Sequence, residues 1–297
     1  MYAFFTFIKA LPRPFLSKTN DLTAVTHTRF MPTSYTHYYV AKEVLSKLTP
    51  PLRGAASKCL DAYYFGAQGP DFCFFISNKK RGGQNFGRFL HRVGGYGFFR
   101  TLAEFSSQNH TIFAYALGYI THYAVDVAVH PYVYFHSGKS KLKHARMEGG
   151  FDKYLAVQTL LKAQEITFLH SLKSSKETVT EIFNAFAKYA DDQGYHAFSK
   201  AAFSRAISLF NAYTVAAFRF YKQAKPPFSK EILFNEVHAV WHYPNAPEKR
   251  LNDTVFELLR GAMDESLRLI AEFSNCVDEK KAPPRELFGK NYVSGLL

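Results

Sequence analysis

The chemistry this 297-residue chain could carry is concentrated in two short segments. His122, Asp126 and His130 recur four residues apart in GYITHYAVDVAVHP, and His144, Glu148 and Asp152 do the same in HARMEGGFD. Residues i and i+4 share one face of an α-helix, so each segment projects a stripe of three side chains able to hold a metal. Imidazole nitrogens and carboxylate oxygens are the ligand types of hydrolytic zinc sites. Two such stripes facing each other would make a multinuclear site. A single His-x3-Asp pair is common on helices as an ordinary surface pair. Two triads close together among apolar neighbours are different, because charged groups on an apolar face are costly unless paired or bound to metal.

Phosphodiester hydrolysis at neutral pH needs a nucleophile, charge neutralisation and help for the leaving group. Zinc supplies these by bringing the pKa of a coordinated water to roughly 7 and by offsetting charge on phosphate oxygens. Asp126, flanked on its helix by His122 and His130, is the natural bridging carboxylate. Asp71, in the Gly- and Pro-containing segment GAQGPD, is a candidate general base. His136 is an alternative ligand. Asp152 either orients a ligand histidine or pairs with a lysine or arginine. His27, His110, His170, His196, His238 and His242 lack partner spacing and read as structural or surface residues.

The elements that must position these groups read as helices throughout. Residues 34–48 carry Tyr38, Ala41, Val44, Leu45 and Leu48 on one face, with His37 in the first turn, and Pro50-Pro51 ends the run. A short helix over 52–65 precedes the 66–71 loop, and 77–88 reads as an exposed polar loop. A helix over 88–107 holds His91 near its start. Asn109 is placed to cap a helix over 110–130 that Pro131 ends. After a loop at 135–141, the helix of His144 and Glu148 continues to about 167. Ser174-x-x-Glu177 has the form of a capping box opening a helix to 190. Further helices follow over 197–224 and 252–278, separated by a loop with Trp241, Pro244 and Pro247, and the tail from 282 packs or frays. No β-alternation persists and no repeat of solenoid period occurs. The expected class is all-α.

Composition agrees with a globular chain: 47% hydrophobic and 21% charged leaves ample apolar surface for a sizeable core. With 30 Phe and 19 Tyr, that core is aromatic, and the Tyr hydroxyls need partners. The net charge of +13 favours anionic partners such as phosphate esters, acidic lipid surfaces or nucleic acid, although no Lys/Arg block is long enough for a nucleic-acid arm. Three cysteines without CxxC spacing argue against a disulfide framework and lean toward a reducing compartment. No run of 18 uncharged apolar residues marks a transmembrane segment. Residues 1–30 lack a positive start and an A-x-A cleavage site, so they read as an N-terminal extension upstream of a domain opening at Met31. On that reading the protein is cytoplasmic; a weak signal peptide, and hence secretion, is the alternative.

With these residues in place, the sequence resembles the zinc-dependent phospholipase C family, which also includes the N-terminal domain of glycosylphosphatidylinositol-specific phospholipase D. The matching pieces are Thr36-His37 in MPTSYTH, the GAQGPD loop, His91 in RFLHR, GYITHYAVDVAVHP and HARMEGGFD, with WHYP and NYVSGL later. The resemblance implies a compact multi-helix bundle with metals at the base of a cleft: a metal-binding part over 31–155 and a helical buttress over 156–297. It implies one zinc on His91, His122 and Asp126, with Asp71 beside it as ligand or base. A second zinc falls to His130, His144 and Glu148, and a third to His37 and Asp126. Secreted members complete the third site with an N-terminal tryptophan; the single tryptophan here is Trp241, so two or three ions are expected.

The expected function is therefore zinc-dependent hydrolysis of a phosphodiester, phospholipase C/D-like, on a phospholipid or related substrate with peripheral contact to an anionic membrane. The alternatives are a single-strand nuclease or other phosphodiesterase on the same site, and a non-enzymatic helical binding protein stabilised by metal.

Overall fold

A computed structural model describes residues 34–78, 84–138, 140–158, 168, 171–195, 199–223, 233–235, 240–243, 246–250 and 252–296. By its contacts the chain divides into residues 1–30, which lie outside the described set, and a compact unit, Met31–Leu297. That unit is built of α1 (Ser34–Lys47), α2 (Pro50–Lys58), α3 (Leu60–Ala67), a 3-10 turn (Asp71–Phe75), α4 (Phe86–Arg92), α5 (Tyr96–Ser106), α6 (His110–Ser137), α7 (Lys141–Gln158), α8 (Lys176–Asp192), α9 (Lys200–Gln223), α10 (Asn252–Asp278) and the short α11 (Arg285–Phe288). The architecture is all-α. Its strands are minor: a two-residue hairpin, β1 (Ser77–Asn78) with β2 (Gln84–Asn85), and an antiparallel sheet of β3 (Leu233–Asn235), β4 (Val240–Tyr243) and β5 (Ala246–Arg250).

Helix α6 is the axis of the bundle. Asn109 caps it, its side chain accepting from the amides of Thr111 and Ile112. It is long and apolar enough to cross a membrane, but 83% of its most apolar stretch is buried inside the fold, so it is the core helix. Its most extensive packing is against α3. Gly66 and Gly118 face each other there, and a Cβ on either would strike the partner backbone, so both glycines are required for the close approach. Aromatic rings fill the surrounding core: Phe98 lies 4.5 Å from Phe186 and Phe72 lies 4.9 Å from Phe203. Some of the buried Tyr hydroxyls are paired within the core: Tyr63 donates to the Ala41 carbonyl at 2.8 Å.

Several boundaries differ from the sequence expectation. Helix α6 runs through Pro131 to Ser137. Pro131 has no N–H for the Val127 carbonyl, yet Val129 and Val133 stay buried on the continuing face, and that packing outweighs the lost bond. The expected 52–65 helix breaks at Cys59, and the 88–107 helix breaks at Val93–Gly95, where Gly94 takes φ +79°. Helix α8 is capped by Ser175, which accepts from the Thr178 amide, rather than by Ser174 with Glu177. The segment of Trp241 forms β4 instead of a loop. The end of the expected helix to 167 lies outside the described residues.

Candidate metal centre

Five elements deliver eight ligand-type side chains to one place. His37 comes from the first turn of α1. Asp71 opens the 3-10 turn, and His91 closes α4. His122, Asp126 and His130 descend one face of α6, and α7 adds His144 and Glu148. All are buried except His144, whose side chain is 12% exposed. The ligand atoms fall into three groups, each within 4.8 Å: His37, His122 and Asp126; Asp71, His91 and His122; and His130, His144 and Glu148.

Asp126 is central. Its oxygens lie 3.2 Å from His122 Nε2, 3.4 Å from His37 Nε2, 3.5 Å from His91 Nε2 and 3.6 Å from His130 Nδ1. Asp71 Oδ1 is 3.2 Å from His91 Nε2, and Glu148 Oε1 is 2.8 Å from His144 Nε2 and 3.2 Å from His130 Nε2. His130 Nε2 and Glu148 Oε1 are hydrogen-bonded, but proximity without hydrogen-bond alignment is the commoner pattern. Both nitrogens of His37 and of His122, Nε2 of His91, Oδ1 of Asp71, Oδ2 of Asp126, Nδ1 of His144 and Oε2 of Glu148 are buried with no hydrogen-bond partner. A buried polar atom left this way costs about 1–3 kcal/mol. Concentrating so many at one point fits a cation, toward which lone pairs converge instead of pairing with each other. The all-nitrogen-and-oxygen donor set fits zinc.

Neighbouring groups fix the donors' orientation. His91 Nδ1 lies 2.7 Å from the Gly87 carbonyl, and a carbonyl only accepts, so Nδ1 holds the proton and Nε2 presents its lone pair. His130 Nδ1 is held in the same way by the Tyr292 carbonyl at 2.6 Å. The His37 and His122 rings lie 4.1 Å apart, tilted by 30°. Gly69, at φ +55° beyond the end of α3, packs directly on the His122 ring, where any Cβ would overlap it. Asp152 accepts from the Thr36 amide at 2.8 Å, the Thr36 hydroxyl at 2.7 Å and the Tyr35 amide at 3.2 Å. It thereby ties α7 to the α1 turn that carries His37, and among the described residues its partners are neither a histidine nor a lysine or arginine. His136 joins none of the three groups and packs on Tyr132 at 4.4 Å and Phe135 at 5.1 Å. Of the unassigned histidines, His110 is exposed at the start of α6, whereas His27, His170, His196 and His238 lie outside the described residues.

Electrostatics follow from this crowding. Burial alone would raise the Asp126 carboxyl, but His130, His122 and His37 hold it far below the usual carboxylate range. Burial would likewise raise Glu148, and His144 with His130 brings it down to about 2. Burial would lower His130; Asp126, Glu148 and the Tyr292 carbonyl instead raise it to about 10. His122 is raised against its own burial by Asp126 and Asp71. His37 goes the other way, lowered by burial and by His122 despite Asp126.

The sequence pattern missed Gly69 and Tyr292 as parts of this centre. Gly69 sits in a segment whose Gly and Pro content marked only a tight turn. Tyr292 acts through its backbone, which leaves no signature in residue type.

Helices gathered around a buried His/Asp/Glu cluster define a metal-centred all-α protein. The chain belongs to the zinc-dependent phospholipase C family, whose model matches residues 36–199. No curated protein and no solved structure matches it in the same comparisons. The family is one of phosphodiester hydrolases, and the matched span contains all eight clustered residues.

Proposed function

We propose that this protein is a zinc-dependent phosphodiester hydrolase of the phospholipase C/D type acting on a phospholipid. The observation that carries the reading is the convergence of buried ligand-type side chains, with partnerless nitrogen and oxygen atoms on His37, Asp71, His91, His122, Asp126, His144 and Glu148, and with His130 beside them in the same cluster. Asp71, His91 and His122 would hold one ion, and His130, His144 and Glu148 a second. His37 with Asp126 would hold a third, Asp126 bridging between sites. Zinc bound there supplies Lewis acidity toward water and offsets the charge of the phosphate. Asp71, beside the first of these ions, would act as general base: it would take a proton from the attacking water as the oxygen bonds to phosphorus, and the alkoxide would leave on the opposite side, taking up a proton. His91 and Asp126 hold their positions through the Gly87 carbonyl and the surrounding imidazoles.

The walls of the site favour a lipid over a nucleic acid. The cleft beside His37, Asp126, His130 and Glu148 is lined by Val125, Val129, Phe151, Val255 and Leu259, with Thr36, and among the described residues by no Lys or Arg. Nucleic-acid binding draws its affinity from cationic contacts to phosphates. At the end of α6, Tyr134 packs 4.6 Å from His144, and the adjacent Phe135 is 83% exposed, with exposed Lys141 opening α7. Aromatics and lysines side by side suit peripheral contact with an anionic membrane. All three cysteines, Cys59, Cys73 and Cys276, are free thiols, which supports a reducing, cytoplasmic setting.

The test pairs metal analysis by mass spectrometry with hydrolysis of a phospholipid, an aryl phosphodiester and single-stranded DNA. Two or three zincs per chain and turnover of the phospholipid are expected, and Asp126→Asn should lose both metal and turnover. Full zinc content and full activity in Asp126→Asn would sink the assignment. Preference for DNA would move it to a nuclease, and tight zinc with no turnover to a metal-stabilised binding protein.

A further inference from the structure

The C-terminal tail reaches the metal centre from outside residues 36–199, the span that the family model matches. Beyond α11 the chain is tied down bond by bond. The Lys290 amide donates to the Tyr123 hydroxyl at 3.0 Å, and the Lys290 carbonyl accepts from the Gly95 amide at 3.2 Å. The Tyr292 side chain, 1% exposed, places its hydroxyl 3.0 Å from that of Tyr119 and its ring 5.2 Å from His91. At Gly295, φ +66°, the backbone comes so near the Val127 carbonyl that a Cβ would lie 2.9 Å from it. This is the carbonyl that Pro131 leaves without its helical partner, so the break in α6 bonding and the seat of the tail coincide.

The Tyr292 backbone touches two candidate ligands from different groups. Its amide donates to the His91 carbonyl at 3.1 Å, satisfying a carbonyl at the end of α4. Its carbonyl receives His130 Nδ1 at 2.6 Å. The next acceptor for that nitrogen is Asp126 Oδ2, at 3.6 Å. The Tyr292 carbonyl therefore does two things. It keeps the proton on Nδ1, so that Nε2, which lies 3.2 Å from Glu148 Oε1, is the nitrogen that gives its lone pair when zinc displaces the other proton, and it leaves the Asp126 oxygen to the other histidines.

We propose that the C-terminal tail is a working part of the metal centre, in which the Tyr292 backbone clamps His91 and His130 and selects the His130 tautomer that binds metal through Nε2. Tyr292 is a positioning residue, and the inference rests on the zinc-hydrolase reading. A hydrogen bond of this kind behind a ligand histidine is typically worth about 10- to 100-fold in metal affinity.

The experiment compares the wild-type chain, a chain ending at Lys290 and full-length Tyr292→Phe, each at a buffered free-zinc concentration. Zinc per chain is counted by mass spectrometry and folding followed by circular dichroism. The shortened chain keeps Phe288 in the core and the Gly95 bond to Lys290, but loses the carbonyl behind His130. It should hold one zinc fewer than wild type, recovered only at about 10- to 100-fold higher free zinc. Tyr292→Phe loses the hydroxyl contact with Tyr119 but keeps both backbone bonds, and should keep wild-type zinc. A purely structural tail would lower the melting temperature of the shortened chain and leave its zinc count alone, which overturns the proposal. Should the shortened chain not fold, long-range 1H–15N spectra of zinc-loaded wild type decide the matter. His130 with Nδ1 protonated and Nε2 on metal supports the clamp, and the reverse arrangement overturns it. Wild type without any zinc would remove the hydrolase reading together with the clamp, whereas unchanged zinc in a folded shortened chain removes the clamp alone.

Discussion

Replacing Gly69 by alanine tests whether the cluster is held at metal-binding precision. Two penalties arise at this position. The first is backbone strain: φ +55° is left-handed, and an L-residue there costs about 1–2 kcal/mol. The second is displacement. A Cβ on Gly69 falls within the van der Waals envelope of His122 Cδ2, Cγ and Nε2. To regain an ordinary carbon separation of ~3.5 Å the ring must retreat by on the order of 1 Å. Metal–ligand distances tolerate only about 0.2 Å, so the shift exceeds the tolerance several-fold. His122 also contributes to two of the three ligand groups. Its loss should weaken zinc by on the order of 100-fold or more. Gly138→Ala is the matched control. Gly138 has φ +56° with ψ −136°, a conformation that also strains any L-residue, but its Cβ would meet nothing within 4 Å. The assay is zinc per chain and zinc affinity by competition with a chromophoric chelator, alongside thermal melting. Both variants should lose stability through backbone strain, and only Gly69→Ala should lose zinc. Wild-type zinc affinity in Gly69→Ala, or an equal zinc loss in Gly138→Ala, would refute the steric argument.

Further outcomes follow from the same geometry. In the chelated chain, the raised His130 value of about 10 against ~6.5 unfolded gives stability that is complete below the unfolded value and is lost as pH rises through 10. The lowered Asp126 and Glu148 give stability present above ~4.3 and lost as pH falls toward 2. Zinc competes with protons for the same lone pairs, so the melting-temperature gap between zinc-loaded and chelated protein should widen from about pH 6 to about pH 9; a constant gap would contradict the placement of zinc on these histidines. Asp152→Ala removes the acceptor for the Tyr35 and Thr36 amides at the start of α1 and should cost about 1–2 kcal/mol, measured by denaturant titration. Phe135→Ser should reduce binding to anionic vesicles in a sedimentation assay while leaving hydrolysis of a soluble phosphodiester unchanged. Undiminished vesicle binding would remove this residue from the membrane contact.

The sequence by itself determined what depends on local periodicity. His122, Asp126 and His130 share a face because α-helical geometry requires it of residues four apart, and the same holds for His144 and Glu148. The all-α class and the Asn109 cap were legible for that reason. Tertiary structure decided what depends on encounters between distant parts of the chain. It set His37, Asp71 and His91 against α6 and placed Gly69 on the His122 ring. It also let α6 continue through Pro131, because burial of Val129 and Val133 outweighs one missing bond. The Asp152 contact reads from sequence as a charged pair or a histidine partner, yet it is a cap on a helix 116 residues away. The Tyr292 carbonyl is the extreme case. Every residue owns a carbonyl, so residue type says nothing of its role, and only the path of the folded chain brings this one to His130.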